Sequence, residues 1–369
     1  MREKEIKISV EGNIIKVAGS LDGAGAEKIA AAMNTDVIYS LDFGEVDHLN
    51  FAAIRALLRC RQKGRHFCII NASDAVAERM EDTGVSTLIN VCRKPKKLDL
   101  SKYTEVGASF LSHAYNSEDG DSMIKVYGAR VPKWMVAQEK AVAKAVMMFG
   151  IPTPLVGTLY EDGESTALDF ERIEGKRSFS RIISEEPERL EEMTVRFARM
   201  CKKLHSTKCD TNMFSDRTVF YRQAVANAEF LTPEEKAKAM KFIDSIPAAE
   251  TCLHGDMQLS NVITTEKEDM WIDLSDFGYG NPMLDMGMWY FQARLNDERI
   301  MKNLFHFGQD TMDRIWPIFV KEYFGADTPE KQEEVNRSIE PYAALHMLYL
   351  GASYGFEGNM LDYVRKQIL

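Results

Sequence analysis

No stretch of this chain is apolar for long enough to read as a membrane span, and its opening, MREKEIKISV, is charged where a secretory signal would be apolar. A protein kept in the cytoplasm is the expectation. Cysteine is sparse and unpatterned. Cys60, Cys68, Cys92, Cys201, Cys209 and Cys252 form no CxxC pair and no His-Cys metal spacing, so reduced, mostly packed thiols are expected. Positive charge is in deficit: 46 Lys and Arg face 56 Asp and Glu, a net charge of -10. That balance repels the phosphates of nucleic acid and suits a cationic substrate better. With 45% hydrophobic and 28% charged residues the composition is that of a globular protein, and 369 residues exceed one compact core, so two or three domains are expected.

The stretch that organises the chain is CLHGDMQLSNVITTEKEDMWIDLSDFGYG, Cys252 to Gly280. It places Asp256 and Asn261 in one short loop and Asp273 just beyond a hydrophobic run. Phosphoryl transfer needs a carboxylate to orient and partly deprotonate the attacking hydroxyl, and oxygen ligands to hold Mg²⁺ against nucleotide phosphates. Asp256 suits the first role. Asn261 offers a neutral amide oxygen and Asp273 an anionic one, both suited to a hard cation. Val262-Ile263 and Met270-Trp271-Ile272 read as two strands joined by the charged turn Glu266 to Asp269, a hairpin that brings Asn261 beside Asp273.

HGDxxxxN followed by IDxxxxxG resembles the pattern of the aminoglycoside phosphotransferase and choline kinase superfamily, whose fold is similar to that of protein kinases. His254-Gly255-Asp256, Asn261, Ile272-Asp273 and Gly278 stand in the matching positions. The resemblance implies ATP and Mg²⁺ as cofactors, Asp256 as base, and Asn261 and Asp273 as metal ligands. A competing register exists, because Ser275-Asp276-Phe277-Gly278 contains the letters DFG; Asp273 is preferred, since it ends the strand. His254 reads as a buried strut of the loop, and Asp285 resembles the family's second, structural aspartate, which braces that loop.

Residues 1 to 97 do not read as part of a kinase. Ile6, Ile8 and Val10 alternate with Lys7 and Ser9, Gly12-Asn13 makes a turn, and Ile14 to Val17 is a second strand. Helix follows at Ala24 to Met33, strand at Val37 to Phe43, helix at Ala52 to Lys63 with Ile54, Leu57 and Leu58 on one face, strand at His66 to Asn71 and helix at Ala75 to Thr83. Such alternation makes a small α/β sandwich. Through GSLDGAGAEKI, YSLDFGEVDHLN and INASDAVAERMEDTGVSTLI this order resembles the STAS domain of anti-anti-sigma factors and anion-transporter tails. The loop where signalling members carry a phosphorylated serine is here Asn50-Phe51-Ala52-Ala53, with no hydroxyl. Docking, ligand sensing, self-association or plain bracing of the kinase are the roles left for it.

Val91 to Leu100 concentrates Arg93, Lys94, Lys96 and Lys97 around Pro95 and reads as a solvated linker, with a domain boundary near residue 98. The segment Thr104 to Tyr115 stands where a kinase folds a hairpin over phosphates. It has only one glycine, though Ser109 and Ser112 are candidate phosphate contacts. Ser122 to Tyr127 alternates as a strand with Lys125, and a long helix follows Pro132 with Glu139. The resemblance assigns Lys125 to the α and β phosphates and Glu139 to orienting it. Gly150 to Pro154 matches the family's GIPTP element, and Ala167 to Ile173 resembles the hinge whose backbone at Glu171 and Ile173 would meet adenine.

From Pro187 the chain reads as mostly helical: Arg189 to His205, Val219 to Phe230, Pro233 to Ile246, and helices from Met286 onward. Candidate acceptor-binding residues are Trp289, Tyr290, Tyr354, Phe356, Glu357 and Asp362, since an aromatic face beside a carboxylate suits an ammonium. The expected class is α+β: a STAS-like sandwich over 1 to 97, then a two-lobed protein-kinase-like fold with a nucleotide-binding small lobe over 98 to 175 and a helical large lobe over 176 to 369. The expected activity is transfer of the ATP γ-phosphate to a hydroxyl of a small molecule. A protein kinase acting on a docked partner and a nucleotide-sensing pseudokinase are the other readings.

Overall fold

The computed structural model describes residues 6–35, 37–108, 112–355 and 360–369, and the chain divides into two compact units, Met1–Glu174 and Gly175–Leu369. The first unit opens with a five-stranded sheet in the order β1-β2-β3-β4-β5. Its strands are β1 (Lys7–Glu11), β2 (Ile14–Leu21), β3 (Ile38–Leu49), β4 (His66–Ala72) and β5 (Val91–Arg93), with helices α1 (Gly23–Ala32), α2 (Phe51–Gln62) and α3 (Asp74–Asp82). The β1/β2 hairpin is antiparallel, and β2 to β5 run parallel because each connection carries a helix or helical turn. Every strand-to-helix junction has a capping side chain: Asp22 accepts from the Gly25 amide, Asn50 from Ala53 and Ser73 from Val76. Asn50, in the loop without a hydroxyl, thus serves as an N-cap.

One face of this sheet packs Ile15, Val17, Leu41, Phe43 and Ile69 against Ile29, Ile54, Leu57 and Met80 of the helices. The other face is covered along β4 and β5, which is why Phe67, Cys68, Ile69 and Ile70 form an unbroken buried run where a one-faced strand would alternate. The stretch 91 to 100 is corrected from a solvated linker: β5 is the fifth strand of the sheet, Cys92 and Leu98 are buried, and Arg93 is paired with Asp74 and Glu81. The lysines and Asp99 face solvent. The next strand, β6 (Lys96–Lys97), already belongs to a second sheet, parallel to β10.

That six-stranded sheet has the order β6-β10-β11-β9-β8-β7. Its remaining strands are β7 (Tyr103–Ala108), β8 (Ser112–Ser117), β9 (Ser122–Tyr127), β10 (Val156–Glu161) and β11 (Thr166–Glu171), and helix α4 (Lys133–Met148) lies between β9 and β10.

The second unit is helical around a three-stranded sheet and a two-stranded one. A short strand β12 (Arg177–Ser178) leads into α5 (Phe179–Glu185), α6 (Leu190–Ser206), α7 (Arg217–Asn227) and α8 (Pro233–Ser245); then come β13 (Thr251–Leu253), β14 (Val262–Thr264), β15 (Asp269–Trp271) and β16 (Gly278–Gly280). The two sheets are β12-β14-β15 and β13-β16. Helices α9 (Met283–Tyr290), α10 (Glu298–Phe305), α11 (Gln309–Phe324), α12 (Pro329–Tyr354) and α13 (Met360–Ile368) complete it. Helix α6 buries Leu190, Met193, Phe197, Cys201 and Leu204 at helical spacing. Phe197 meets Trp289 and Phe319, at 5.2 and 5.6 Å between ring centroids, to form the aromatic centre of the core. Gly287 lets α9 touch α12, since a Cβ there would stand 2.4 Å from the backbone of Tyr342. Among the described residues no helix is long and apolar enough to cross a membrane.

Candidate phosphotransfer site

The loop from His254 to Asn261 hangs between two short ladders. β13 pairs with β16, and β14 pairs with β15 with Val262 opposite Trp271, so the hairpin expected from the sequence is present. The Ile272 amide donates to the Asn261 carbonyl at 3.0 Å, which carries the pairing one residue further and sets Asp273 beside the end of the loop. Across the back of the hairpin Arg196 of α6 pairs with Asp269.

Asp285, at the start of α9, braces the loop from below. Its carboxylate accepts from the His254 amide at 2.7 Å, from the Gly255 amide at 2.9 Å, and from His205 Nε2 at 3.1 Å. Burial alone would raise the Asp285 carboxyl, but the His205 hydrogen bond and charge and the Gly255 amide bring it below the usual carboxylate range. His254 is fully buried, and burial holds it neutral; its Nδ1 accepts from the Asp256 amide at 3.2 Å, which puts the proton on Nε2. Gly255 has φ 83, and a Cβ there would lie 2.2 Å from the Asp276 carbonyl. Only glycine allows this approach of the loop to the turn that follows Asp273.

Asp256 is the carboxyl of this loop that is pushed toward neutrality. Burial first, and then the charges of Asp276 and Asp273, push its carboxyl up to about 7. Asn261 Nδ2 donates to its Oδ2 at 2.8 Å and Gln258 Nε2 donates to the same oxygen at 3.2 Å, which leaves Oδ1 open. Because Asn261 spends its amide nitrogen on Asp256, its Oδ1 is turned away and available to a cation. Asp273 is exposed and sits at φ 57, a left-handed conformation uncommon outside glycine. Asp276, the competing letter, receives Arg217 Nη1 at 3.1 Å, from an arginine whose side chain is only 3% exposed. Among the described residues no group of three His, Cys, Asp or Glu side chains is placed to hold a metal ion by itself. Asn261 and Asp273 together offer one amide oxygen and one carboxylate, an all-oxygen donor set of the kind that fits Mg²⁺ completed by nucleotide phosphates.

In the first unit Lys125 of β9 and Glu139 of α4 meet as expected, with Nζ 3.4 Å from Oε1, both largely buried. A third member was not foreseen: the Tyr127 hydroxyl donates to the same Glu139 oxygen at 2.7 Å. Tyr127 stands two residues after Lys125 on one strand face, so the period of two carried that signal. Ser112 is buried at the start of β8 opposite Tyr127, and Ser109 lies outside the described residues. The Glu171 amide is already donated to the Leu155 carbonyl at 2.8 Å, and Ile173 is buried just beyond β11.

Of the acceptor candidates, Trp289 and Tyr290 are corrected to core: Trp289 is fully buried in the aromatic centre, and Tyr290 is buried with its hydroxyl donated to Glu340 at 3.3 Å. Tyr354 is 67% exposed at the end of α12, and its hydroxyl is raised by partial burial and by the charges of Asp276 and Asp256, which places it by the loop. Asp362 is exposed on α13, and Phe356 and Glu357 lie outside the described residues. Gln258 and Arg217 were missed: a loop glutamine and a helix arginine carry no pattern that marks them.

The model of the phosphotransferase enzyme family matches residues 107–318, and that of the STAS domain residues 4–98. No curated protein matches the chain. Among solved structures, an aminoglycoside-3'-phosphotransferase of type VIII is 20% identical with TM-score 0.44, covering 64% of this chain and 92% of its own. The aminoglycoside phosphotransferase APH(2'')-Ib is 13% identical with TM-score 0.46, covering 80% and 97%. A choline/ethanolamine kinase family protein from Mesorhizobium loti is 13% identical with TM-score 0.42, covering 72% and 85%. Because the first of the two matches spans more than half of the 369 residues, the chain belongs to the phosphotransferase enzyme family, and it carries a STAS domain ahead of the part that defines the family.

Proposed function

We propose that this small-molecule phosphotransferase uses ATP and Mg²⁺ to phosphorylate a hydroxyl of a cationic acceptor. The observation that carries the reading is Asp256: a carboxyl held near neutrality by burial and neighbouring charge, oriented through one oxygen by Asn261 and Gln258, with the other oxygen open. When bound, ATP and Mg²⁺ supply the transferable phosphoryl group and neutralise its charge. Asp256 Oδ1 accepts the hydrogen bond of the acceptor hydroxyl and takes its proton. Asn261 Oδ1 and the Asp273 carboxylate would hold the cation, and Lys125, oriented by Glu139 and Tyr127, would hold phosphate oxygens. Ile173 is the hinge residue that remains for the adenine, since the Glu171 amide is in use.

A cationic acceptor is supported by the charge near the loop. Asp256, Asp273 and Asp276 cluster there beside the exposed ring of Tyr354, while Arg217 offsets only one oxygen of Asp276. An ammonium on a ring face beside carboxylates suits that surface. The test is ATP-dependent phosphate transfer across amino alcohols, aminoglycosides, neutral sugars and generic proteins, with Asp256→Ala as the blank. Transfer confined to amine-bearing small molecules and lost in the blank supports the proposal; transfer only to neutral sugars removes the cationic part, and transfer only to proteins removes the small acceptor.

A further inference from the structure

The helix that carries Glu139 is held from two sides. Toward the small-lobe sheet, Glu139 meets Lys125 and Tyr127. On its other flank, Val136, Ala137 and Ala141 of α4 pack in one buried cluster with Cys68, Ile70 and Cys92 of the STAS sheet, and Tyr127 belongs to the same cluster. Cys92 Sγ donates to the Ala137 carbonyl at 2.9 Å, two residues before Glu139. Ala137 and Ala141, one turn apart, are small enough to let the sheet approach the helix backbone. Beside the seam, burial lowers the Lys140 ammonium below its ordinary value, with Cys92 opposing and Lys144, Arg93 and Lys96 adding to the effect. The row of side chains that reaches this seam begins in solvent, with Lys16 of β2 opposite Asp42 of β3 and Asp42 opposite Ile70 of β4.

We propose that the STAS domain is a built-in positioning element of the nucleotide clamp: Cys68, Ile70 and Cys92 hold α4 at the height and rotation at which Glu139 reaches Lys125. This rests on reading Lys125 and Glu139 as the phosphate clamp. The geometry gives the domain a task that needs no phosphorylated serine, in keeping with Asn50-Phe51-Ala52-Ala53. A displacement of the sheet would pass to Glu139 through a rigid helix, because packed side chains deform little.

The test uses the full chain, with hydrogen exchange of the α4 amides and calorimetric titration with Mg-ATP as separate readouts. Ile70→Asp, which forces a charge into the seam, is expected to speed α4 exchange and to weaken Mg-ATP binding at least tenfold. Cys92→Ala, which removes the donor and only one side-chain heavy atom, should give a smaller change of the same sign, and Lys16→Gln, at the exposed end of the row, none. In combination with Glu139→Gln, Ile70→Asp should weaken binding no further, since both act through one contact. Full additivity, or α4 exchange unchanged in Ile70→Asp, overturns the proposal. Where Ile70→Asp fails to fold, Ala141→Leu, which levers the seam open from the helix side, is read by the same criteria. A wild-type chain that binds no Mg-ATP would remove the clamp reading itself, while the exchange data would still decide whether the STAS sheet holds α4.

Discussion

Asp256 couples activity to pH with opposite effects on rate and stability. In the proposed reaction its carboxylate form is the base, and burial and nearby charge raise its carboxyl to about 7 before metal binds; a bound Mg²⁺ would draw it down, so kcat/KM for the acceptor is expected to climb up to tenfold per pH unit on the acid side and to level at or below about pH 7. Protons are held more tightly in the folded chain than in the unfolded one, so this group's stability contribution is present at acid pH and is lost as pH rises from about 4 through about 7. Asp256→Asn should therefore abolish transfer and yet raise Tm at pH 8, by about 3 °C for each kcal/mol relieved; a thermal melt alongside the pH profile checks both signs. A second residue-scale outcome separates the two candidate metal ligands. Asp273→Asn is expected to remove the magnesium dependence of nucleotide binding. Asp276→Asn, at a group engaged by Arg217, should chiefly alter acceptor KM, and the reverse ranking in a titration would move the metal role to Asp276. The residue types of this site were legible because HGDxxxxN and ID hold them at short spacing. Gln258 was not, because nothing in the sequence says which loop amide faces the carboxylate.

At the scale of elements, the loop is only as well placed as α9. Asp285 accepts two backbone amides and His205, so Asp285→Ala leaves buried donors without an acceptor, at about 1–3 kcal/mol for each. The expected result is a large fall in both Tm and kcat. His205→Phe, which keeps a ring but loses the bonds to Asp285 and to the Tyr323 hydroxyl, should cost less, because the two loop amides keep their acceptor. Gly287→Ala probes the packing of the same helix: its Cβ would meet the Tyr342 backbone at 2.4 Å, and overpacking of this kind costs about 1–3 kcal/mol, read as a lower Tm with acceptor KM unchanged. The hairpin of β14 and β15 was legible from two apolar runs about a charged turn. The reach of β3 to Leu49 was not: six residues beyond Phe43 stay extended because β2 continues alongside them with two register shifts.

For the molecule as a whole, all six cysteines are free and buried. Burial pushes the Cys68 thiol up to about 11 and Cys92 up to about 12, so the native chain is expected to show no thiol titre with an aromatic disulfide reagent, to release all six on unfolding, and to melt at the same temperature with or without reductant. One rapid titre in the native state would contradict the buried placement. By itself the sequence determined the classes of its parts, since period and spacing are local: alternating strands and helices marked the STAS sandwich, and a short motif marked the candidate phosphotransfer loop. Only the tertiary structure decided which faces are covered. It turned the basic stretch at 91 to 97 into strands of two sheets, made Trp289 and Tyr290 core and left Tyr354 at the loop, and laid Cys92 against the helix of Glu139. The physical reason is that burial belongs to pairs of surfaces far apart in sequence, and a single strand or helix does not encode what will lie against it.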